Sequence, residues 1–363
     1  MAVGLVAFVF ARSVIFFAQH RRQRALHLRK NLYWWLRYHD RQYWPLWLFY
    51  IPVYLFLPFL AWKHRSVWAW LHVNPALPNG GWWGERKSEL DTVLRSCAPD
   101  HYLPGELVSP GEFAAMSAGD QAALLDRSRF PIVAKPDRGK QGQGVRVAHD
   151  AHELQSLLLS AEEDLFLQAF DASPREAGLL FYRSPETGRI ELFSITDKRF
   201  PVVVGDGRSS FFELVLADPR ARFLAPIYLA QASMPLDHVP AVGERVLLTR
   251  LGNHSKGALF FSEESLGTPQ LEQTLRTMFG STAGLDFGRI DIKYASREEL
   301  MAGRFHIIEL NGAGAESTNI HDPKFSLGEV YKILYRQWDL LFALGRPATP
   351  SFNESVRRFF RMF

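Results

Sequence analysis

Two apolar runs with charges set into them constrain this chain more than any other feature. The first is Gly288-Arg289-Ile290-Asp291-Ile292-Lys293-Tyr294. The second is Phe305-His306-Ile307-Ile308-Glu309-Leu310-Asn311-Gly312. Their length and β-branched content predict buried strands, and the short charged connection from Ala295 to Arg304 lets them pair as a hairpin. Alternate residues of a strand share a face, so Arg289, Asp291 and Lys293 point one way, as do Glu309 and Asn311. An unpaired charge on a buried face costs on the order of several kcal/mol. A face that collects two carboxylates, an amide and two cations therefore needs a reason. Carboxylate and amide oxygens are hard ligands suited to magnesium, which takes one or two protein carboxylates and completes its shell with substrate phosphates. The pair reads as the magnesium floor of a phosphate-handling site. The alternative is a structural ion-pair network on a half-buried sheet.

The rest of the chain is large enough to build such a site into a core: 363 residues, 47% hydrophobic and 22% charged, room for two or three domains or one large one. The single cysteine, Cys97, excludes an internal disulfide and a cysteine-rich zinc centre. The net charge of +4 is carried by basic residues ahead of the globular region, which suits a membrane surface better than nucleic acid. Residues 2–18 are apolar apart from Arg12 and Ser13, and His20, Arg21, Arg22, Arg24, Arg29 and Lys30 follow. That order is the reverse of a cleaved secretory signal. Gln42 to Trp62 carries no charge, near the ~20 residues a spanning helix needs, but contains Pro45, Pro52 and Pro58. Arg37 and Arg41 precede it, and Lys63, His64 and Arg65 follow. Residues 1–73 are thus expected to form an aromatic-rich, membrane-associated helical segment at the inner membrane. It is either single-pass and kinked or peripheral and re-entrant, with the following domain cytoplasmic. The alternative is an aromatic-rich core segment.

Turn chemistry from Asn74 to Gly81 opens a domain expected over residues 74–345, with a loop-bearing small subdomain at about 129–171. Phe130 to Pro136 reads as a short strand carrying Lys135, and it runs into the glycine-rich stretch Asp137 to Val145. Glycines let backbone N–H groups approach phosphate oxygens, and Lys135, Arg138 and Lys140 supply charge. The order fits neither a P-loop nor a dinucleotide fingerprint, and a plain β-turn is the alternative. Residues 346–363 set Arg357, Arg358 and Arg361 among Phe359, Phe360 and Phe363. That tail reads as a basic amphipathic anchor or a disordered terminus.

Taken in order, the motifs resemble the ATP-grasp superfamily. They are a lysine opening a helix (Lys87), a strand-lysine-proline, a Gly-Gln-Gly loop, Leu167-Gln168-Ala169-Phe170, Arg289-Ile290-Asp291 and Ile307-Ile308-Glu309-Leu310-Asn311-Gly312. The likeness covers roughly residues 87–344 and is greatest to D-alanine–D-alanine ligases and to the ATP-grasp part of cyanophycin synthetases. The runs 198–209 and 248–257 carry the second of these. The resemblance implies an α+β fold of two subdomains clasping ATP. It implies Lys87 and Lys135 on the phosphates, and Gln141, Gly142 and Gly144 in the loop that closes over them. Gln168, Ala169 and Phe170 would form the adenine-reading hinge, with Glu176, or else Asp171, at the ribose. Asp291, Glu309 and Asn311 would be metal ligands, and Arg289 would stabilise the acyl-phosphate and tetrahedral species. Arg250, Asn253 and Lys256 would lie by the triphosphate or acceptor; for Arg250, Lys198 and Arg199 a surface salt bridge is the competing reading. Gly312, Gly314 and Ser317 would form the loop beside the second substrate.

The function so implied is an ATP-dependent carboxylate–amine ligase that works through an acyl phosphate and needs Mg²⁺, with Mn²⁺ as a substitute. Its substrates would be small-molecule or peptide carboxylates and amines, with no nucleic acid. An ATP-grasp kinase and a non-catalytic ATP-binding membrane module are the alternatives. Such ligases usually begin with a Rossmann-like domain, where this chain has its aromatic segment. The acceptor pocket would then be completed by a lipid surface, a partner or a second subunit, as in a homodimer.

Overall fold

The computed structural model describes residues 41–139, 144–230, 232, 234–249, 252–254 and 257–345. Helices α1 (Leu46–Phe49), α2 (Ile51–Lys63) and α3 (Lys87–Cys97) lead to strand β1 (Gly105–Val108). Helices α4 (Pro110–Ala115) and α5 (Ala118–Arg127), strands β2 (Ile132–Pro136) and β3 (Arg146–Ala148), helix α6 (Ala151–Ser160) and strand β4 (Leu165–Ala169) follow. Next come β5 (Arg175–Arg183), β6 (Ile190–Arg199), β7 (Val202–Val204), α7 (Phe211–Ala217), α8 (Ala225–Ala230), β8 (Arg245–Leu247) and β9 (Leu259–Ser262). The chain then runs through α9 (Pro269–Phe279), β10 (Phe287–Tyr294), α10 (Arg297–Met301), β11 (His306–Asn311) and α11 (Leu327–Gly345). This is the expected α+β class. Two compact units divide the chain: Met1–Pro52 with Phe200–Leu259, and Val53–Arg199 with Phe260–Phe363. The first, in its described residues, pairs β7 with β8 antiparallel. Its core holds Val203, Phe211, Val215, Tyr228 and Val246.

The larger unit holds two sheets. The smaller runs β1-β4-β2-β3 with antiparallel pairings. One face is covered by α4, α5 and α6 through Phe113, Leu124, Leu154 and Leu158, packed on Ile132, Ala134 and Leu167. By alternation the opposite face carries Val133, Lys135, Phe166 and Gln168, which are cross-strand partners in the register. The larger sheet runs β11-β10-β5-β6-β9. Ile290, Ile292, Leu310, Ile307, Leu179 and Ile195 bury one face against Leu271, Leu275 and Phe279 of α9 and Leu90 and Leu94 of α3. The other face is apolar at one end, where Leu180, Trp82, Trp338 and Leu341 meet, and polar at the other.

The aromatic N-terminal run does not become a spanning helix. Among the described residues no helix is long and apolar enough to cross a membrane, which overturns the expected single-pass or re-entrant segment at the inner membrane. Proline is the physical reason. Pro45 precedes α1, and Pro52 sits in the first turn of α2, where its missing N–H is harmless but the preceding helix cannot continue. The longest piece, α2, has 13 residues and at ~1.5 Å per residue reaches about 20 Å, short of the ~30 Å hydrocarbon layer. Leu60 is fully buried with Phe342, and the Phe56 ring lies 4.3 Å from that of Tyr335, so part of the helix is a core element. Leu55 and Trp62 remain 76% exposed. The basic flank is also used internally. Lys63 Nζ and His64 Nε2 each donate to Asp339 at 2.7 Å. Burial raises the Asp339 carboxyl, but those hydrogen bonds outweigh it and the net shift is downward. The readings of residues 1–40 and of the tail 346–363 lie outside the described residues.

Candidate active site

β10 and β11 pair antiparallel, as their sequence pattern predicts, with Arg289 opposite Asn311 and Asp291 opposite Glu309. Directly opposed side chains stand on one face about 4.5–5.5 Å apart at Cβ, so the four predicted residues converge. Between Asp291 and Ile292 the register shifts: Asp291 faces Glu309 but Ile292 faces Ile307. Ile308 is therefore an extra residue on β11, a β-bulge. Its carbonyl accepts from Lys135 Nζ at 3.2 Å. The same ammonium donates to Gln168 Oε1 at 2.6 Å. The phosphate-lysine candidate of the small sheet is thereby held over the large sheet beside Glu309. Burial lowers the Lys135 ammonium below the usual lysine range, with the Glu309 charge opposing that shift.

The polar face continues onto β5 and β6. Gly178 lies opposite Asp291, and Glu176 opposite Lys198. A Cβ on Gly178 would stand 3.2 Å from Arg289 Cδ and from Asp291 Oδ1, so the glycine makes room for both side chains. Lys198 Nζ lies 2.7 Å from Glu176 Oε1 and 3.2 Å from Asp291 Oδ2. Arg289 Nε donates to Asp291 Oδ1 at 3.1 Å, and its Nη1 donates to Glu316 O at 3.1 Å. Burial works against every one of these charges, yet mutual attraction wins. Lys198 and Arg289 are raised, chiefly by Asp291, and Asp291 is lowered, chiefly by Arg289 and Lys198. Asp291 is thus a carboxylate with both oxygens occupied by cations. Glu309 has no hydrogen-bond or ion-pair partner among the described residues, and the buried Asn311 Nδ2 is likewise unpartnered. Amide nitrogen and oxygen are interchangeable by a flip, so this amide can offer its oxygen to a cation.

Lys87 opens α3 at its first turn and donates from Nζ to Pro136 O at 2.8 Å and Gly139 O at 3.3 Å. It reaches the root of the glycine-rich stretch. Asp137, buried, accepts from Ser88 N at 2.9 Å and so caps α3 from across the chain. Gly144 has φ +71°, a conformation L side chains rarely adopt. Gln141, Gly142, Arg250 and Lys256 lie outside the described residues, and Asn253 belongs to the other unit.

Several predicted ligands are committed within the protein. Gln168 is buried between Lys135 and Leu103 O. Ala169 and Phe170 are exposed, but the Phe170 N–H donates to Pro131 O at 3.2 Å. Asp171 pairs with His306 Nδ1 at 2.8 Å. Glu176 Oε1 accepts from Lys198 Nζ at 2.7 Å. The loop after β11 is braced from behind: Gly312 N donates to Glu85 Oε1 at 3.0 Å and Gly314 N to Gly81 O at 2.8 Å. Ser317 is fully buried. Its hydroxyl bonds Ser194 Oγ at 2.7 Å and Asn319 Oδ1 at 2.8 Å, so it holds the loop in place. Sequence reasoning weighed Lys198 as a surface ion and missed Gly178 and Glu85. The alternation Ser194, Thr196, Lys198 on β6 was the available signal, since it puts Lys198 on the inner face and Arg199 on the outer. Among the described residues no group of three or more histidine, cysteine or acidic side chains forms a metal cluster; the two carboxylates and one amide fall below that number.

No protein-family model and no curated protein sequence matches the chain. Solved structures do. A bifunctional glutathione synthetase from Pasteurella multocida aligns at TM-score 0.39 and 16% identity, over 72% of this chain and 38% of its own. A D-Ala:D-Ser ligase from Enterococcus faecalis aligns at 0.41 and 11%, over 72% and 61%. A D-alanine–D-alanine ligase from Helicobacter pylori aligns at 0.36 and 13%, over 70% and 60%. The chain spans 38% to 61% of their lengths. At these scores the likeness carries no conclusion about activity.

Proposed function

We propose that the chain is an ATP-dependent carboxylate–amine ligase of the ATP-grasp type. The observation that carries the reading is the single sheet face on which Arg289, Asp291, Glu309 and Asn311 meet, with Lys135 bridged to it through the bulge carbonyl of Ile308. A fully paired structural network would leave neither a half-buried carboxylate nor a buried amide without partners. Those two groups, with Asp291, fit a hard divalent cation bound jointly with phosphate oxygens. Mg²⁺ in that place would neutralise charge on the transferring phosphoryl group.

In this reading Lys87 and Lys135 hold the phosphates. The substrate carboxylate attacks the γ-phosphorus, the bond to ADP breaks, and an acyl phosphate forms. The amine then attacks the acyl carbon, phosphate leaves, and the amine proton passes to solvent. Arg289 donates to the oxygens on which charge accumulates in both steps. No side chain forms a covalent bond, so the rate comes from positioning and electrostatics. The test is ADP release across paired amino acids and short peptides, repeated with hydroxylamine. ADP release that depends on a carboxylate, with a hydroxamate trapped, is the expected result. ADP release with a hydroxyl acceptor and no hydroxamate would make the chain a kinase. Nucleotide binding without turnover on any pair would make it a binding module.

A further inference from the structure

Asp291 already has its cations. Lys198 Nζ holds Oδ2 at 3.2 Å and Arg289 Nε holds Oδ1 at 3.1 Å, while Glu309, directly across the ladder, has none. Each Asp291 oxygen keeps a second lone pair, but a divalent cation shared by the two carboxylates would sit against both resident cations, and like-charge repulsion in a low-dielectric site favours displacing one of them. Arg289 is tied a second time to Glu316 O. Lys198 has a different second partner, Glu176 Oε1 at 2.7 Å, a carboxylate that can keep the ammonium after Asp291 lets go. We propose that Lys198 is the resident counter-ion of Asp291, exchanged for the divalent cation when a polyphosphate arrives. Glu176 is the positioning residue that retains Lys198 on the sheet face during the exchange. The inference rests on the ATP-site reading and adds an order of events to it.

The charge count gives the exchange its direction. In the ion-paired cluster itself, Glu176 and Asp291 are offset by Lys198 and Arg289. A bare divalent cation adds two positive charges to that neutral set and strips Lys198 of one of its two carboxylates. Both effects oppose binding in a low-dielectric site. A nucleotide di- or triphosphate reverses both, because it brings excess negative charge and oxygen acceptors for the released ammonium. Metal and nucleotide must then bind cooperatively, each strengthening the other by one coupling free energy.

The experiment is Mn²⁺ binding to the full chain, read by electron paramagnetic resonance with and without saturating ADP. In the wild type, ADP is expected to tighten Mn²⁺ binding by ~10-fold or more, within the usual range of couplings. Lys198→Met removes the competitor, so Mn²⁺ alone binds ~10-fold tighter and the ADP enhancement shrinks toward one. Lys135→Met removes the same charge without freeing Asp291, so its tightening must be clearly smaller. Glu176→Gln leaves Lys198 on Asp291 alone, so Mn²⁺ without nucleotide binds more weakly and the ADP enhancement persists. Equal tightening by the two lysine variants, or Mn²⁺ affinity unchanged by Lys198→Met in a natively folded protein, overturns the exchange. Should Lys198→Met not fold, Glu176→Gln decides, and unchanged or tighter Mn²⁺ binding without nucleotide overturns it. Mn²⁺·ADP bound by the wild type with these failures removes the exchange alone. No Mn²⁺ bound even with ADP removes the site reading as well.

Discussion

Gly81 and Gly84 offer a paired test of how the loop after β11 is held. Both have φ +71°, where an L residue costs ~1–2 kcal/mol. A Cβ on Gly84 meets nothing within 4 Å, whereas one on Gly81 would stand 2.5 Å from Gly312 Cα and 2.6 Å from Glu85 Oε1. Gly84→Ala therefore measures the backbone strain alone. Gly81→Ala adds a backbone collision, and carbon atoms settle at ~3.5–4.0 Å, so Gly312 must retreat by about 1 Å. That retreat breaks the Glu85–Gly312 hydrogen bond, worth ~1.5–3 kcal/mol with a charged acceptor. The expected losses are about 1–2 kcal/mol for Gly84→Ala and about 2.5–5 kcal/mol for Gly81→Ala, read by urea denaturation of the full chain. Gly312 is the neighbour of Asn311, and a displacement of ~1 Å at a positioned group costs ~100-fold in rate, so ADP release should fall by that order in Gly81→Ala and little in Gly84→Ala. Equal destabilisation by the two variants, or wild-type turnover in Gly81→Ala, would refute the bracing argument.

Asp291→Asn strips Lys198 and Arg289 of their shared carboxylate and should cost ~3–5 kcal/mol in stability. Glu309→Gln removes a carboxylate that makes no hydrogen bond or ion pair among the described residues and acts on Lys135 and Arg289 only through its charge, so it should cost clearly less than Asp291→Asn; equal losses in denaturation would show Glu309 to be a structural ion after all. Asn74 is fully buried, donates to Phe287 O at 2.7 Å and accepts from Asp286 N and Phe287 N. Asn74→Ala strands those groups at ~1–3 kcal/mol each, and a wild-type urea midpoint would contradict the assignment. Burial pushes the Cys97 thiol up to about 11 from 9.0, so at pH 8 its alkylation by iodoacetamide should be about 100-fold slower than that of a free thiol and reach the free-thiol rate in denaturant. The folded chain holds this proton more tightly than the unfolded one. The thiol's contribution to stability is accordingly complete below pH 9 and lost as pH rises from about 9 to about 11.

What could be read from the sequence was local and periodic. The period-2 pattern placed Arg289 and Asp291, and Glu309 and Asn311, on one face, and the short connection paired their strands. Interactions between residues far apart in sequence were not legible. Lys63 and His64 look like a membrane flank until Asp339, 275 residues or more away, supplies their partner. A run of aromatic residues without charge looks like a span until the prolines at 45 and 52 are given their full weight as helix boundaries. Ser317 and Glu176 carry the residue types of ligand contacts, and their hydrogen bonds to Ser194 and Lys198 on β6 become visible only in the packing.

The bulge at Ile308 is the step that joins fold to site. Ile307 and Leu310 are both fully buried in the same core, three residues apart, which strict alternation forbids. One of the residues between them has to be taken out of phase. With Ile308 as that residue, Ile307 faces the core while Glu309 and Asn311 face Asp291 and Arg289. Without it, Ile307 would share their face and put an isoleucine among the charges. A bulge leaves a backbone carbonyl outside the ladder, and a buried carbonyl without a donor costs ~1–3 kcal/mol. Lys135 answers that need from the other sheet. The irregularity that lets β11 serve two faces is thus the same one that draws an ammonium group to the residue next to Glu309. An apolar pattern broken as Ile-Ile-x-Leu within a strand carrying a carboxylate is a sequence signal for such an arrangement.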